Sequence, residues 1–413
     1  MAGQVIQRDK ERFVVRVFLG RNGGKRKYLN KTVHGRRRDA ERVLRDLLAA
    51  RDRGDLLTPS RVPLGDFLRR WLADYAAGAV AETTLASYAA TVRVHLAPAL
   101  GGVPLRNVSA QAIQRYIGQK LQAGLSAKTV RYHRTILREA LAHAVKWGLL
   151  QKNPADPTDA PRVVRREMRV WDEEQARVFL GEAKRQSPYY RLYLAAILTG
   201  ARQGELLGLR WEGFDATFDR LAIQRTLYRL GGRLLLKEPK TAKARRTIPL
   251  PQSLVEALGA LRAEQEERRR MIGDCTVGLA CRVAACAHWH DFGLIFCQPN
   301  GKPLHAHNVA QRDFRRVLSL DGLRRELRAK GVPEEALPKP LPRVRFHDLR
   351  HLCATLLLSQ GVHPKVAQEL LGHSTVSMTL DTYSHVAPAL AVEATRLLEA
   401  RLFCGKAAAG GGW

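Results

Sequence analysis

Two proline-bearing stretches limit what this chain can fold into. The first is Leu57-Thr58-Pro59-Ser60-Arg61-Val62-Pro63; the second runs from Asn153 to Pro161 and holds Pro154, Pro157 and Pro161. Proline has no amide proton to give a helix interior or a central strand, and both stretches are otherwise polar, so they read as linkers. They cut the 413 residues into segments of about 57, 90 and 240, sizes that suit separate domains. The expected organisation is 1–57, 62–157 and 168–403, followed by a flexible tail at 404–413 that contains Ala408-Ala409-Gly410-Gly411-Gly412.

The first segment reads as a small β-sheet plus a helix. Phe13, Val15 and Val17 alternate, Tyr28 and Val33 mark a further strand, and Arg21-Asn22-Gly23-Gly24 offers a hairpin turn between them. From about Arg38 the apolar spacing turns helical, with Ala40, Val43, Leu47 and Leu48. Through residue 55 there are 16 basic and 7 acidic residues, a net of +9. A strand pair carrying Arg16, Lys25, Arg26 and Lys27 fits a β-ribbon that enters a DNA groove, with a solvated basic sheet as the alternative.

The middle segment is expected to be all-helical. Its clearest helix spans about Ala127 to Trp147, with Ile136, Ala140 and Ala144 beside Leu137, Leu141 and Val145 on one face. Arg131, Arg134 and Arg138 form a second stripe. Three like charges in a row repel unless solvent screens them or phosphates neutralise them. The whole chain carries 69 Lys plus Arg against 39 Asp plus Glu, a formal +30, and that surplus favours the phosphates. With 45% hydrophobic and 26% charged residues, this is a packed globular composition rather than a disordered basic tail. No apolar run approaches the ~18 residues of a membrane span. Arg8, Asp9, Lys10, Glu11 and Arg12 interrupt any secretory h-region, so a cytoplasmic protein with reduced thiols is expected.

The third segment mixes strands and helices. Leu221 to Tyr228 and Arg233 to Leu236 read as strands joined through Gly231-Gly232, and Arg246 to Leu250 as another. Three stretches then place cations and imidazoles at helix ends. In Gly200-Ala201-Arg202-Gln203-Gly204-Glu205, Gly200 closes one helix and Arg202 opens the next. In His347-Asp348-Leu349-Arg350-His351, Asp348 is expected to cap a helix whose first turn holds Arg350. A cation there opposes the macrodipole by ~0.3–1 kcal/mol, and a bound anion reverses that sign. Either arginine alone reads as well as a structural ion pair. In Leu371-Gly372-His373-Ser374, Gly372 is a C-cap that projects His373, Ser374 can cap the next helix, and Tyr383 lies ten residues on.

Taken together, A-R-x-G-E, H-D-L-R-H, L-G-H and the tyrosine ten residues later resemble the tyrosine recombinases of the phage-integrase family. The resemblance implies an arm-binding-like N-terminal sheet, an all-α core-binding domain and a mixed α+β catalytic domain. It implies a site-specific recombinase that integrates or excises a mobile element through a 3′-phosphotyrosine intermediate. Tyr383 would be the nucleophile, Arg202 and Arg350 the phosphate clamp, and His347 and His373 its hydrogen-bonding partners. Lys240, with Lys243 as a near neighbour, would be the acid for the departing 5′-oxygen, and Glu205 a structural support. The implied partners are double-stranded DNA attachment sites, a tetramer of the chain on DNA and an accessory directionality or bending protein, with no membrane. No cofactor is implied. The alternatives are a type IB topoisomerase-like enzyme and a catalytically silent or regulatory DNA-binding protein of the same fold. A C-terminal helix striped by Val392, Leu397, Leu398 and Leu402 could dock on a neighbouring protomer or on its own domain.

Cys275, Cys281, Cys286, His288 and His290 crowd one stretch. These are zinc-binding residue types, yet no tight C-x2-C pair occurs among them. Free thiols and no metal are the expectation.

Overall fold

The computed structural model describes residues 3–22, 25–52, 62–164, 170–237, 245–277, 281, 286–373, 375 and 399; the side chains of 19–22, 25, 27 and 50–52 lie outside that description. Two compact units form, Met1–Arg166 and Glu167–Trp413.

The first unit opens with an antiparallel sheet of β1 (Gly3–Asp9), β2 (Arg12–Asn22) and β3 (Lys25–His34), followed by α1 (Arg37–Asp52). Strand alternation sorts β2 by chemistry. Phe13, Val15 and Val17 are buried with Ala40 of α1, and Val43, Leu44 and Leu47 close over them. Arg16 falls on the other face, where its Nε donates to Asn30 Oδ1 at 3.0 Å and its guanidinium lies 5.4 Å from the Tyr28 ring. Arg26 is exposed nearby in β3. Lys25 and Lys27 have side chains outside the described set.

The helical part has a separate apolar cluster. Here α2 (Leu64–Trp71) runs through a π-helical turn at Leu72–Ala76 into α3 (Ala77–Ala79). Likewise α4 (Glu82–Thr91) passes through Val92–Leu96 into α5 (Ala97–Leu100), and α6 (Ala110–Gln122) and α7 (Ala127–Lys146) come next. Ser109 and Ser126 cap the last two, their hydroxyls accepting the N–H of Ala112 and of Thr129. Of the expected stripe, Ile136, Leu137, Ala140, Leu141 and Ala144 are fully buried and Val145 is half-buried. Trp71 stacks on Tyr88 and donates its indole N–H to His143 Nδ1 at 3.2 Å, so its polar atom is satisfied inside the core.

The second proline stretch is not a loose linker. Ala155 is wholly buried in the helical core and Thr158 is 6% exposed. Arg134 holds them: its Nε donates to Thr158 Oγ1 at 2.8 Å, and its Nη2 to the carbonyls of Ala155 at 3.1 Å and Thr158 at 2.6 Å. Arg138 pairs with Asp156 at 2.7 Å on the exposed side. The expected phosphate-facing stripe is therefore corrected at Arg134, whose donors point into the chain itself, while Arg131 remains exposed.

The second unit contains α8 (Glu173–Gln186), α9 (Tyr190–Thr199), α10 (Gln203–Leu207), β4 (Phe214–Asp215), β5 (Arg220–Ile223), β6 (Thr226–Leu230), β7 (Arg233–Lys237), β8 (Arg246–Pro249), α11 (Gln252–Ile272), α12 (Phe314–Leu318), α13 (Asp321–Ala329), α14 (Asp348–Ser359) and α15 (Pro364–Leu371). The strands make one sheet in the order β4-β5-β8 and a separate β6-β7 hairpin. Gly231 and Gly232 turn that hairpin with φ of 55° and 81°, a conformation other residues resist. The expected single strand from Leu221 to Tyr228 is split after Ile223, because α10 presses on the break. A Cβ on Gly208 would lie 2.9 Å from the Leu227 nitrogen, so only glycine lets the helix approach this closely.

Trp171, Phe179, Tyr193, Phe314 and Phe346 form the aromatic heart of this unit, with touching rings 4.9 to 6.1 Å apart. Beside it, Glu182 is fully buried and accepts the N–H groups of Gly322 and Leu323 at 2.6 and 2.9 Å, holding the start of α13. Cys275, Cys281 and Cys286 are free cysteines, as expected, but they do not stand apart. Cys275, Cys281, Cys286 and His290 bring their ligand atoms within 4.8 Å of one another, because the chain folds back between Gly273 and His290; His288 is outside the group. Among the described residues no helix is long and apolar enough to cross a membrane.

Replacing Arg134 by Ala removes the donor to the Thr158 hydroxyl and carbonyl, leaving the Ala155 carbonyl with the Thr158 hydroxyl and N–H, and should destabilise the helical part by about 1–3 kcal/mol. Arg131→Ala should stay within about 0.5 kcal/mol of the parent. Urea unfolding of the two variants, followed by tryptophan fluorescence, checks both.

Candidate active site

The site begins where α9 ends. Gly200 takes a left-handed conformation (φ 58°, ψ 18°) that closes the helix. A Cβ there would lie 2.4 Å from Leu371 Cδ2 and 3.1 Å from Cys353 Sγ, so this corner is packed directly against α14 and α15. That contact brings three distant stretches of sequence to one place.

Arg202 is the N-cap of α10, with an extended backbone at φ −68° and ψ 149°. Glu205, at the third helical position, reaches back so that Oε2 accepts the Arg202 backbone N–H at 3.0 Å and Oε1 accepts Arg202 Nη1 at 2.7 Å. A second guanidinium completes the arrangement. Arg246 at the start of β8 donates to Glu205 Oε2 at 3.1 Å and, through Nε, to the Leu370 carbonyl at 2.8 Å. Glu205 is 2% exposed. Burial alone would push its carboxyl up, but Arg246, then the Arg202 amide and both guanidinium donors, outweigh that and hold it below the usual carboxylate range.

The other end of Arg202 faces the α15 corner, where Nη2 donates to the Gly372 carbonyl at 3.2 Å. Gly372 is the left-handed C-cap of α15, φ 67° and ψ 46°. A side chain on it would strike Arg246, 2.8 Å from Nη1. His373 comes directly after it, 6% exposed, its backbone locked by hydrogen bonds in both directions with Gln368. Arg350, in the first turn of α14, is 3% exposed and donates Nη1 to the Gly200 carbonyl at 2.8 Å.

His347, not Asp348, occupies the N-cap of α14. Asp348 is instead the first helical residue, and its carboxylate turns backward to accept the Arg345 backbone N–H at 2.7 Å and the Arg345 guanidinium at 2.8 Å. His347 and His351 lie one turn apart with rings edge-on, 5.4 Å between centroids. Burial lowers all three histidines. His347 is pushed down further by Arg350; His351 falls to about 4 with help from His347; His373 falls to about 4 under burial and then Arg350 and Arg202. The site is a cationic enclosure that holds its imidazoles neutral, and an anion entering it would meet guanidinium and imidazole donors together.

Arg202, Glu205, His347, Arg350 and His373 thus converge as expected. Arg246 and His351 are additions. Strand alternation was a usable signal for Arg246, which shares a face with buried Ile248; the i, i+4 spacing from His347 was the signal for His351. Lys240, Lys243, Ser374, Tyr383 and the stripe of Val392, Leu397, Leu398 and Leu402 lie outside the described residues.

Residues 169–389 match the family described as Phage integrase family, and residues 64–121 match Phage integrase, N-terminal SAM-like domain. The chain belongs to the phage integrase family. It is a tyrosine site-specific recombinase of the kind that acts on mobile elements. A tyrosine recombinase XerC-like protein from Caldanaerobacter subterraneus subsp. tengcongensis is 28% identical over 402 residues, 93% of this chain and 94% of that one. The Tn1549 transposon integrase, solved in complex with transposon right end DNA, aligns with a TM-score of 0.62 at 22% identity, covering 81% of this chain and 99% of that one. A lambda integrase tetramer bound to a Holliday junction aligns with a TM-score of 0.50 at 18% identity, covering 90% and 95%. The chain shares the recombinase fold, with its SAM-like helical part and small sheets.

The lowered histidines give a pH dependence of known sign. A group whose folded pKa lies below its ordinary value favours folding fully above that value, and the contribution is lost as pH falls towards the folded pKa. The DNA-free protein should therefore lose thermal stability from about pH 6.5 downward. In His373→Gln the loss between pH 6.5 and 5 should be shallower, as read by melting curves at constant ionic strength.

Proposed function

We propose that Arg202 and Arg350 clamp the two non-bridging oxygens of a DNA phosphodiester while Tyr383 attacks its phosphorus. The observation that supports this most is the enclosure itself: two guanidinium groups and His373 around one corner, with neutral imidazoles ready to donate to oxygen. Such donors stabilise the charge that builds on the phosphoryl oxygens in the transition state.

The step balances without an external energy source. The bond from phosphorus to the 5′-oxygen breaks, the tyrosine oxygen forms a 3′-phosphotyrosyl bond, and the departing oxygen takes a proton to become a 5′-hydroxyl. An alkoxide is a poor leaving group, so Lys240 is assigned as that acid. The tyrosine proton passes towards His347 or His373, whose lowered pKa values leave a ring nitrogen free to accept it at neutral pH. Religation runs the same path backward with a 5′-hydroxyl as nucleophile. Glu205 takes no proton in this scheme and acts through Arg202.

The same reading assigns roles to the other parts. The basic N-terminal sheet, with Arg16, Lys25, Arg26 and Lys27, is an arm-DNA reader. The helical part, with Arg131 and the outer edge of Arg138, grips the core site, while Arg134 serves its own fold. Four chains assemble on two duplexes, by analogy with the lambda integrase tetramer on its Holliday junction, and an accessory directionality or bending protein joins them on DNA in the cytoplasm.

Tyr383→Phe should abolish covalent capture of a nicked duplex while leaving DNA affinity nearly intact; undiminished cleavage would overturn the mechanism. Arg202→Ala and Arg350→Ala should each slow cleavage by at least ~100-fold. Lys240→Ala should also be slow, and should recover when the 5′-oxygen is replaced by sulfur, which leaves without an acid. Recovery of a Lys243 variant instead would move the acid to that residue.

A further inference from the structure

The cysteine-rich stretch after α11 is given no role in the proposed phosphoryl transfer, yet it is built like a binding site. α11 ends at Ile272, and Gly273 (φ 67°) turns the chain back. Asp274 then pairs with Trp289; the Trp289 N–H donates to the Gly273 carbonyl, and the Cys275 N–H donates to the Trp289 carbonyl, each at 2.8 Å. This short ladder sets Cys275 beside the segment that carries Cys286 and His290. That segment is itself anchored. The His290 N–H donates to the Asn300 carbonyl at 2.9 Å, and Asn300 Nδ2 donates to the Cys286 carbonyl at 2.9 Å. Arg269 forks onto Asp274 at 2.7 and 2.9 Å and reaches Asp291 at 2.9 Å, tying both ends of the turn to α11.

Within that frame the Sγ atoms of Cys275, Cys281 and Cys286 and a ring nitrogen of His290 all lie within 4.8 Å of one another. The Cys275 and Cys286 sulfurs are 3.8 Å apart. Ligands about 2.3 Å from a central ion at tetrahedral angles stand about 3.8 Å from each other, whereas a disulfide brings sulfurs to about 2.05 Å. His290 is 1% exposed, so its imidazole is directed into the protein. The backbone N–H of His288 donates to the Cys286 sulfur, the type of outer contact that orients a metal-bound thiolate.

We propose that Cys275, Cys281, Cys286 and His290 bind one zinc ion in a closed tetrahedral site. The donor set carries no oxygen, which disfavours magnesium and calcium, and three sulfurs with one imidazole match zinc's preference. Four protein ligands leave no position for water or substrate, so the ion is structural. Its purpose is legible in what the turn supports. Beyond it, the Ile295 N–H donates to the Leu209 carbonyl at 3.0 Å, the Trp211 N–H to the Gly293 carbonyl at 2.9 Å, and Gln265 Nε2 of α11 to the Ile295 carbonyl at 2.7 Å. Zinc thus fastens the end of α11 to the stretch just after α10, the helix bearing Glu205.

The test is elemental analysis of the full chain, purified without a histidine tag and without chelators. About one zinc per chain is expected. Cys281→Ser and His290→Ala should each bring zinc towards zero and lower the melting temperature. Should these variants fail to fold, the parent chain exchanged into cobalt gives an independent reading: intense tetrahedral d–d bands and a sulfur-to-cobalt charge-transfer band support the site. Zinc-free folded protein would overturn it, as would a weak octahedral cobalt spectrum or a Cys275–Cys286 disulfide found by mass spectrometry.

Discussion

The buried carboxylate of Glu205 is the interaction on which the catalytic unit depends. It accepts a backbone N–H and a guanidinium from Arg202 and a second guanidinium from Arg246. Removing one partner of such a buried pair costs about 3–5 kcal/mol, because the remaining charge is left without compensation. Here the cost would fall on geometry as well. Arg246 also holds the Leu370 carbonyl and Arg202 the Gly372 carbonyl, so one acid joins α10, β8 and the α15 corner that presents His373. The Arg202 side chain is 39% exposed despite its partners, and so keeps a face for an anion.

Close packing of glycines makes this convergence steric as well as electrostatic. Gly200, Gly208 and Gly372 sit where a Cβ would collide with Leu371, with the Leu227 backbone or with Arg246. Each is a point at which two elements approach more closely than side chains allow. Arg202 and Gly372 are 170 apart in sequence and still meet, at a corner where Gly200 and Gly372 are closely packed.

Local patterns carried most of the fold. Alternation in β2, the four-residue stripe of α7 and the glycine corners at 200 and 372 are all legible in the sequence, because each depends on neighbours within a few residues. The features that were not legible depend on tertiary contacts. Nothing local says that Arg134 turns inward to Thr158, that the strand after Leu221 breaks against α10, or that Asp348 turns back to Arg345 rather than capping its helix. The cysteine stretch is the sharpest case. Its C-x5-C-x4-C-x3-H spacing matches no compact metal module, and it is a tertiary contact, the pairing of Asp274 with Trp289, that sets Cys275 beside the segment carrying Cys286 and His290. Recognition of the recombinase motifs rested on several fixed residues in order, whereas the basic residues assigned to DNA were read from charge alone.

The central claim is that Glu205 works by holding Arg202 for a phosphate without reacting itself. Glu205→Gln keeps the size of the side chain and removes its charge. Single-turnover cleavage of a nicked suicide duplex, with DNA affinity measured alongside, tests the claim most directly. The account predicts cleavage slowed to about the level of Arg202→Ala, ~100-fold or more, with affinity nearly unchanged and no change in the shape of the pH–rate profile. Cleavage at the parent rate, or a lost limb in that profile, would contradict it.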